Sequence, residues 1–141
     1  MEISDIRKRV LETIDYAKKA AGERRTRADQ AGREYDIFLE RIAIPLFRQV
    51  ANVLRAEGYA FNVFTPSGSV RLMSDRTAED FIELTLDTGG DEPRVLGHTT
   101  RSRGRRVMES ERPVAARTPG ELTEDDVLGF LLRELEPFVD R

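Results

Sequence analysis

The chain has 141 residues, and its 23 Lys and Arg against 26 Asp and Glu give a formal net charge of −3. Without Cys it can hold no disulfide, thiolate nucleophile or Cys-rich zinc site, and no apolar run approaches the ~18 residues of a membrane span. The length suits one domain, and the first residues lack the layout of a signal peptide, so we expect a cytoplasmic protein that does not associate with a membrane.

Residues 1–57 have the composition of a helical segment, because Ala, Glu, Arg and Lys are abundant in them. A seven-residue repeat runs through this segment in two sets of positions, which alternate in steps of three and four as in an antiparallel helical hairpin or a coiled coil. One position of the repeat, Arg24, is charged and not apolar. The repeat predicts a helix-packing interface made of Val10, Ile14, Ala17, Ala21, Ala28, Ala31, Tyr35, Phe38 and Ile42.

The partner of this seam is left open by the sequence: it is either the chain's own second helix, over residues 46–54, or another protein molecule. One helix over residues 1–57 would be longer than a domain of this size is wide, so it must project or break. Gly22 favours a break because glycine costs roughly 1 kcal/mol relative to alanine inside a helix. Pro45 marks a kink or the first turn of a second helix, and Gly58 suits the C′ position of that helix.

The segment 59–112 changes from a helical period to the alternation and turn chemistry of strands. Turn residues separate the strands at Pro66-Ser67-Gly68, Asp87–Asp91 and Ser102-Arg103-Gly104. The sequence therefore predicts an antiparallel meander of about five strands, over residues 59–64, 69–73, 81–86, 94–100 and 105–111.

A loop and a final helix complete the predicted elements. Pro113, Pro119 and Gly120 indicate a loop. Thr123 is then the N-cap of a helix, with Asp126 three residues later in a variant of the capping box. The following residues give a broad apolar face that should lie on the sheet, and Pro137 marks the helix end.

Together these patterns predict an α+β fold: a long or broken N-terminal helical segment, an antiparallel meander, and a C-terminal helix packed on one sheet face. Residues 1–57 and 58–141 are expected to form one structural domain, with the helical segment either projecting from it or serving dimerisation.

Arginines cluster around the last predicted hairpin, where no acidic residue lies between Arg94 and Met108. A guanidinium binds phosphate in a bidentate manner, so a phosphate-binding role in nucleic-acid recognition is one interpretation. Against it, no aromatic residue interleaves the arginines and the whole chain is acidic. The other interpretation is a solvated hairpin that pairs with the acidic C-terminal helix or with a partner. The candidate phosphate-binding residues are Arg101, Arg103, Arg105 and Arg106.

Two features resemble catalytic motifs without completing them. Asp87-Thr88-Gly89 follows an apolar strand, as does the catalytic triplet of aspartic proteases, but the residues after it are not those that the family needs, so we predict a hairpin turn. His98 is the only imidazole, and no spacing marks Ser102 or Ser110 as its nucleophile. We therefore expect no catalytic residue, no cofactor and no metal site.

These observations favour a non-catalytic interaction or assembly module that associates with itself, or with another helical protein, through the N-terminal helices. The alternative is a nucleic-acid-binding accessory protein that uses the hairpin 101–106. An enzyme is the third hypothesis, and it is the weakest because no nucleophile, base and orienting group converge in the sequence.

Overall fold

The computed structural model describes residues 1–139 and has the predicted α+β architecture. Within these residues there are three α-helices, a π-helical turn, a 3₁₀ turn and one five-stranded antiparallel sheet. The helices are α1 (Ile3–Phe38), α2 (Ile44–Ala56) and α3 (Glu124–Val139). The strands are β1 (Phe61–Phe64), β2 (Val70–Ser74), β3 (Phe81–Asp87), β4 (Arg94–Arg103) and β5 (Arg106–Pro113).

Helix α1 is continuous, so it has no break near Gly22, which was one of the two options that the sequence left open. Its 36 residues span about 54 Å at 1.5 Å per residue. The many strong helix formers around Gly22 outweigh the cost of one glycine, which is roughly 1 kcal/mol. The long helix therefore projects, which was the other option that the sequence left open.

A π-helical turn, Leu39–Ala43, joins α1 to α2 just before Pro45. Proline lacks an N–H, and its ring would meet the carbonyl of Arg41, four residues earlier, in a regular α-helix. The wider turn accommodates this conflict, and the N–H of Ile44 donates to the carbonyl of Leu39, five residues back. Pro45 thus lies in the first turn of α2, and the chain stays helical from residue 3 to residue 56.

The predicted C′ role of Gly58 is confirmed. Gly58 has φ of +92°, its N–H donates to the carbonyl of Arg55, and the N–H of Tyr59 donates to the carbonyl of Leu54. These two bonds form a Schellman motif, in which glycine adopts the left-handed conformation without the steric cost of a Cβ. The motif ends α2 and turns the chain into β1.

The sheet is a meander in the order β1-β2-β3-β4-β5, as predicted. Because side chains alternate along each strand, one face receives the apolar residues and forms the core with the helices. The other face carries half-buried polar residues such as Glu83 and His98. The buried strand residues on the helix-covered face are Val70, Leu72, Ile82, Leu84 and Val95.

The β4–β5 hairpin turns one residue later than predicted. Arg103 pairs with Arg106, so the two turn residues are Gly104 and Arg105. Gly104 has φ of +63°, which is the conformation that a type II′ turn requires at its first central position.

Helix α3 starts with the predicted capping box. The N–H of Asp126 donates to the Thr123 hydroxyl at 3.2 Å, and the N–H of Thr123 donates to the Asp126 carboxylate at 2.9 Å. The helix passes Pro137 and runs to Val139, two residues further than predicted. A proline in the last turn removes one intrahelical hydrogen bond without interrupting the rest of the helix.

The loop before α3 holds the body end of α1 in place. Its 3₁₀ turn, Pro119–Glu121, buries Pro119 and directs the N–H of Gly120 to the Glu34 carboxylate at 3.2 Å. Helix α1 is thereby held along its C-terminal third, and its N-terminal part extends away from this contact.

Candidate assembly surface on the N-terminal helix

The predicted seam lies along one line of α1, because its positions recur every seven residues of a continuous helix. The structure divides the predicted interface into two parts. Ala28, Ala31, Tyr35, Phe38 and Ile42 lie within the body of the protein, whereas Val10, Ile14, Ala17 and Ala21 lie on the part that extends from it.

In the body, the seam is part of the core. Ala31, Tyr35 and Phe38 are buried, and the Tyr35 hydroxyl donates to the carbonyl of Gly68 at 2.8 Å, with the carbonyl of Leu84 at 3.3 Å. Burial, together with the nearby carboxylates of Glu83 and Asp36, raises the pKa of Tyr35. The hydroxyl therefore stays protonated and serves as a buried donor.

The interface prediction is corrected for this part of the seam. Ala31, Tyr35 and Phe38 are covered by the protein's own sheet and are not available to a second molecule. Ile42 is half-buried against the same core. Residues 46–54 do not cover the seam either, because they continue the direction of α1 in α2 and do not fold back along it.

Beyond the body, the same seam is exposed. We call residues 3–25 of α1 the projecting segment; they span about 33 Å of helix. Within it, Val10 is 51% exposed and Ile14 is 42% exposed, although both occupy seam positions. Ala17 is exposed and Ala21 is half-buried. Val10, Ile14 and Ala17 are thus seam positions that remain exposed within residues 1–139.

The apolar surface of the projecting segment is wider than the sequence analysis indicated. Ile3 extends the seam by one heptad and is 85% exposed. Ile6 and Leu11 lie on its two flanks and are also exposed. The signal for Ile3 was present in the sequence, since it precedes Val10 by seven residues. The flanking residues were missed because the two heptad sets describe only the centre of the seam.

The four candidate phosphate-binding arginines gather at the tip of the β4–β5 hairpin, as predicted. Arg101 and Arg103 are two residues apart on β4, so their side chains point to the same face of the sheet, the one that the helices cover. Arg106 on β5 pairs directly with Arg103. Arg101 is half-buried, and Arg103, Arg105 and Arg106 are exposed. Within residues 1–139 none of these four guanidinium groups forms an ion pair.

The acidic C-terminal helix pairs with other arginines, of which Arg117 contacts the Asp126 carboxylate at 3.2 Å. Arg112, on β5, contacts the Glu134 carboxylate at 3.1 Å. Glu134 is buried, and an unpaired carboxylate is costly at such a position, so this contact holds α3 against the sheet edge. Of the hairpin arginines, Arg103, Arg105 and Arg106 are exposed to solvent beyond it.

The residues considered for catalysis do not converge within the part of the chain described. The Thr100 hydroxyl lies 3.3 Å from Nε2 of His98, but Thr100 is buried. Ser102 donates its hydroxyl to Asp80 at 2.9 Å. Asp87 accepts the N–H of Gly89 at 2.9 Å in the β3–β4 turn, which is the local bond expected of a turn aspartate.

Comparison with protein-family models, curated proteins and solved structures yields no match to this chain. Among residues 1–139, none of the helices combines the length and the apolarity that crossing a membrane requires.

Proposed function

We propose that this protein is a non-catalytic assembly module that associates with itself through the projecting segment. One observation carries the proposal: a single apolar seam runs along α1, and its body half is buried while its outer half is exposed. The same pattern that packs Tyr35 and Phe38 into the core continues outward through Ile14 and Val10. A second helix on the outer half would complete the packing.

Energetics support a partner for this surface. Fully burying one Ile or Val side chain stabilises a folded or associated state by roughly 1.5–3 kcal/mol. Ile3, Val10 and Ile14 lie on one line of the helix, so a single partner helix would bury all three. Helix propensity alone gives a helix little stability, because most helical stability in proteins comes from packing of the apolar face. Two projecting segments that pack on each other would each provide the apolar face that the other lacks.

The experiment is a comparison of molar masses by light scattering after size exclusion. The double variant Val10→Glu/Ile14→Glu places charges on the seam, and Tyr16→Glu is the matched control because Tyr16 is 75% exposed on the same segment but off the seam. We expect the unmodified chain and the control to be dimers and the double variant to be a monomer whose body still unfolds cooperatively. A monomeric unmodified chain, or a double variant that remains dimeric, would contradict the proposal.

A second candidate function is nucleic-acid binding by the β4–β5 hairpin. The observation that favours it is the exposure of Arg103, Arg105 and Arg106 at one tip without an ion-pair partner within residues 1–139. Phosphate contacts of this kind weaken steeply as salt increases. Retention of the chain on single- or double-stranded nucleic acid at low salt, lost in Arg103→Gln/Arg106→Gln, would support this function, and its absence for every nucleic acid tested would exclude it.

A further inference from the structure

We infer that the occupant of the exposed seam is a second copy of this chain in antiparallel orientation, with seam residue n of one copy opposite seam residue 24 − n of the other. This inference rests on the proposed self-association and adds the orientation and register of the two helices. It follows from how large, small and charged residues are distributed along the projecting segment.

The seam has a bulky end and a small end. Ile3 and Val10 lie toward its N-terminus, and Ala17 and Ala21 lie toward the body. An antiparallel pair in this register sets Ile3 of each copy opposite Ala21 of the other, and Val10 opposite Ile14. The outer layers then combine the large Ile3 with the small Ala21, and the inner layers pair the two branched side chains of Val10 and Ile14, so that the seam is filled along its length.

The flanking residues fit the same register. Ile6 lies on one flank of the seam, and Ala20 of the second copy would face it there. Leu11 lies on the other flank, and Leu11 of the second copy would face it across the two-fold axis. Both side chains are about half exposed in the single chain, at 46% for Ile6 and 49% for Leu11. The register therefore buries every large apolar side chain that the seam and its flanks expose between residues 3 and 14.

The charged seam positions disfavour a parallel pair. Arg7 and Arg24 both fall on the heptad seam, so a parallel in-register dimer would place each arginine against its own copy. In the antiparallel register Arg7 meets Ala17, and its long side chain reaches past this small residue to solvent. Arg24 lies beyond the last paired layer.

Longer-range electrostatics favour the same orientation. Residues 18–27 contain five basic residues and one acidic residue, which gives 5 − 1 = +4. A parallel pair would hold two such segments side by side. The antiparallel pair separates their centres by about 30 Å along the axis. Because that separation exceeds the screening length of about 8 Å at physiological salt, the repulsion becomes small.

Disulfide formation tests the orientation directly, because the chain has no cysteine of its own. Thr13 lies seven residues after Ile6 and so on the same flank of the seam. In the antiparallel register the two Thr13 residues flank the two-fold axis, offset by about 3 Å along the helix axis, whereas the two Ala17 residues are about 15 Å apart along it. A parallel pair brings the two Ala17 residues together and separates the two Thr13 residues. Bridging requires Cα atoms within roughly 7 Å, so each orientation permits only one of the two bonds.

The experiment compares the oxidation rates of Thr13→Cys, Ala17→Cys and the off-seam control Tyr16→Cys in the full-length chain, together with an equimolar mixture of Arg7→Cys and Ala17→Cys. We expect Thr13→Cys to form its disulfide at least ~10-fold faster than the control, because the dimer raises the effective thiol concentration. We also expect the mixture to give the mixed disulfide and Ala17→Cys alone to react at the control rate.

The molar masses of the reduced variants distinguish a wrong orientation or register from an absence of self-association. If they are dimeric but Ala17→Cys bridges and Thr13→Cys does not, the antiparallel arrangement is overturned and self-association stands. Dimers in which neither Thr13→Cys nor the mixture bridges overturn the register in the same way. If the reduced variants and the unmodified chain are all monomeric, the proposed function and the register fail together.

Discussion

Gly97 on β4 lies directly under the ring of Phe130 on α3, so close that a Cβ on Gly97 would stand 2.0 Å from Cζ of that ring. Two carbon atoms at this distance overlap sterically. Phe130 is fully buried in a closely packed interior, so its ring cannot move aside without displacing its neighbours. The absence of a side chain at residue 97 is therefore what allows α3 to pack on the sheet at this depth.

Substituting Gly97→Ala should destabilise the fold, because the added methyl group displaces the Phe130 ring or the helix that carries it. Overpacking of this kind costs about 1–3 kcal/mol. Chemical denaturation would measure the loss in the free energy of unfolding. Gly90→Ala is the matched control, since its added Cβ meets nothing nearer than 3.9 Å, and it should stay within about 0.5 kcal/mol of the unmodified chain. If the two variants had the same free energy of unfolding, the Phe130 ring would be able to move without destabilising the fold, and the prediction would be wrong.

The cap of α3 should make stability depend on acid pH. Hydrogen bonds from the backbone and side chain of Thr123 lower the pKa of Asp126, as does the nearby Arg117. The ionised Asp126 therefore contributes stability that is fully present above the unfolded-state pKa near 3.9 and is lost as the pH falls through the lower folded-state pKa. The difference in unfolding free energy between the unmodified chain and Asp126→Asn should shrink over that range.

The control for this prediction is a second capping carboxylate. The side chain and then the backbone of Thr118 donate to Glu121 and lower its pKa, so Asp126→Asn should retain some acid sensitivity from this group. A difference between the two chains that stays constant from neutral pH down to pH about 2 would contradict the assigned role of Asp126.

Thr123→Ala should lower the free energy of unfolding by about 1 kcal/mol at neutral pH, since the Thr123 hydroxyl accepts the N–H of Asp126 at the start of α3. Thermal or chemical denaturation would measure this loss. Thr65→Ala, at an exposed position before β2, is the matched control and should have little effect. A Thr123 variant as stable as the control would show that the cap contributes nothing.

Tyr35→Phe should weaken the body of the protein without changing its association. The Tyr35 hydroxyl donates to the carbonyl of Gly68 and lies 3.3 Å from the buried carbonyl of Leu84, and its removal takes these contacts away. The expected cost is about 1–2 kcal/mol in the free energy of unfolding, with an unchanged molar mass. A change in mass at full stability would mean that the body half of the seam also takes part in association.

Alanine substitutions should distinguish the two halves of the seam by their effect on stability. Phe38→Ala removes a buried ring and should cost about 3–5 kcal/mol. Val10→Ala removes exposed atoms and should leave the unfolding of the dissociated chain nearly unchanged. Denaturation at protein concentrations low enough to dissociate a dimer would measure both, and a large loss for Val10→Ala there would show that another part of the same chain covers it.

Much of the fold was predictable because its signals are local. Gly58, Thr123 and Asp126 act within a few residues of their own helix ends, and the structure gives them the roles that the sequence indicated. The strands followed from alternation and turn residues in the same way. The hairpin turn was misplaced by one residue because Gly104 alone could serve either register.

The remainder depends on contacts between distant residues. A heptad repeat shows that a helix face is apolar but not what covers it. Tyr35 and Val10 therefore had the same predicted role in the sequence, although Tyr35 is buried in the structure and Val10 is exposed. Gly97 gave no signal at all, since its role arises from Phe130, a residue 33 positions later. The π-helical turn before Pro45 likewise reflects how the chain reconciles a proline with a helix that the core holds on both sides.

The most direct test of self-association through the projecting segment is the molar mass of the unmodified chain, measured by light scattering over a dilution series at about 150 mM salt, where the screening length is about 8 Å. Absorbance at 260 and 280 nm should be recorded as well, because a chain with three Tyr and no Trp reveals slight nucleic-acid carry-over. We predict twice the 16.1 kDa of the single chain, with no nuclease-sensitive excess at 260 nm. A mass of 16.1 kDa at every concentration would contradict self-association.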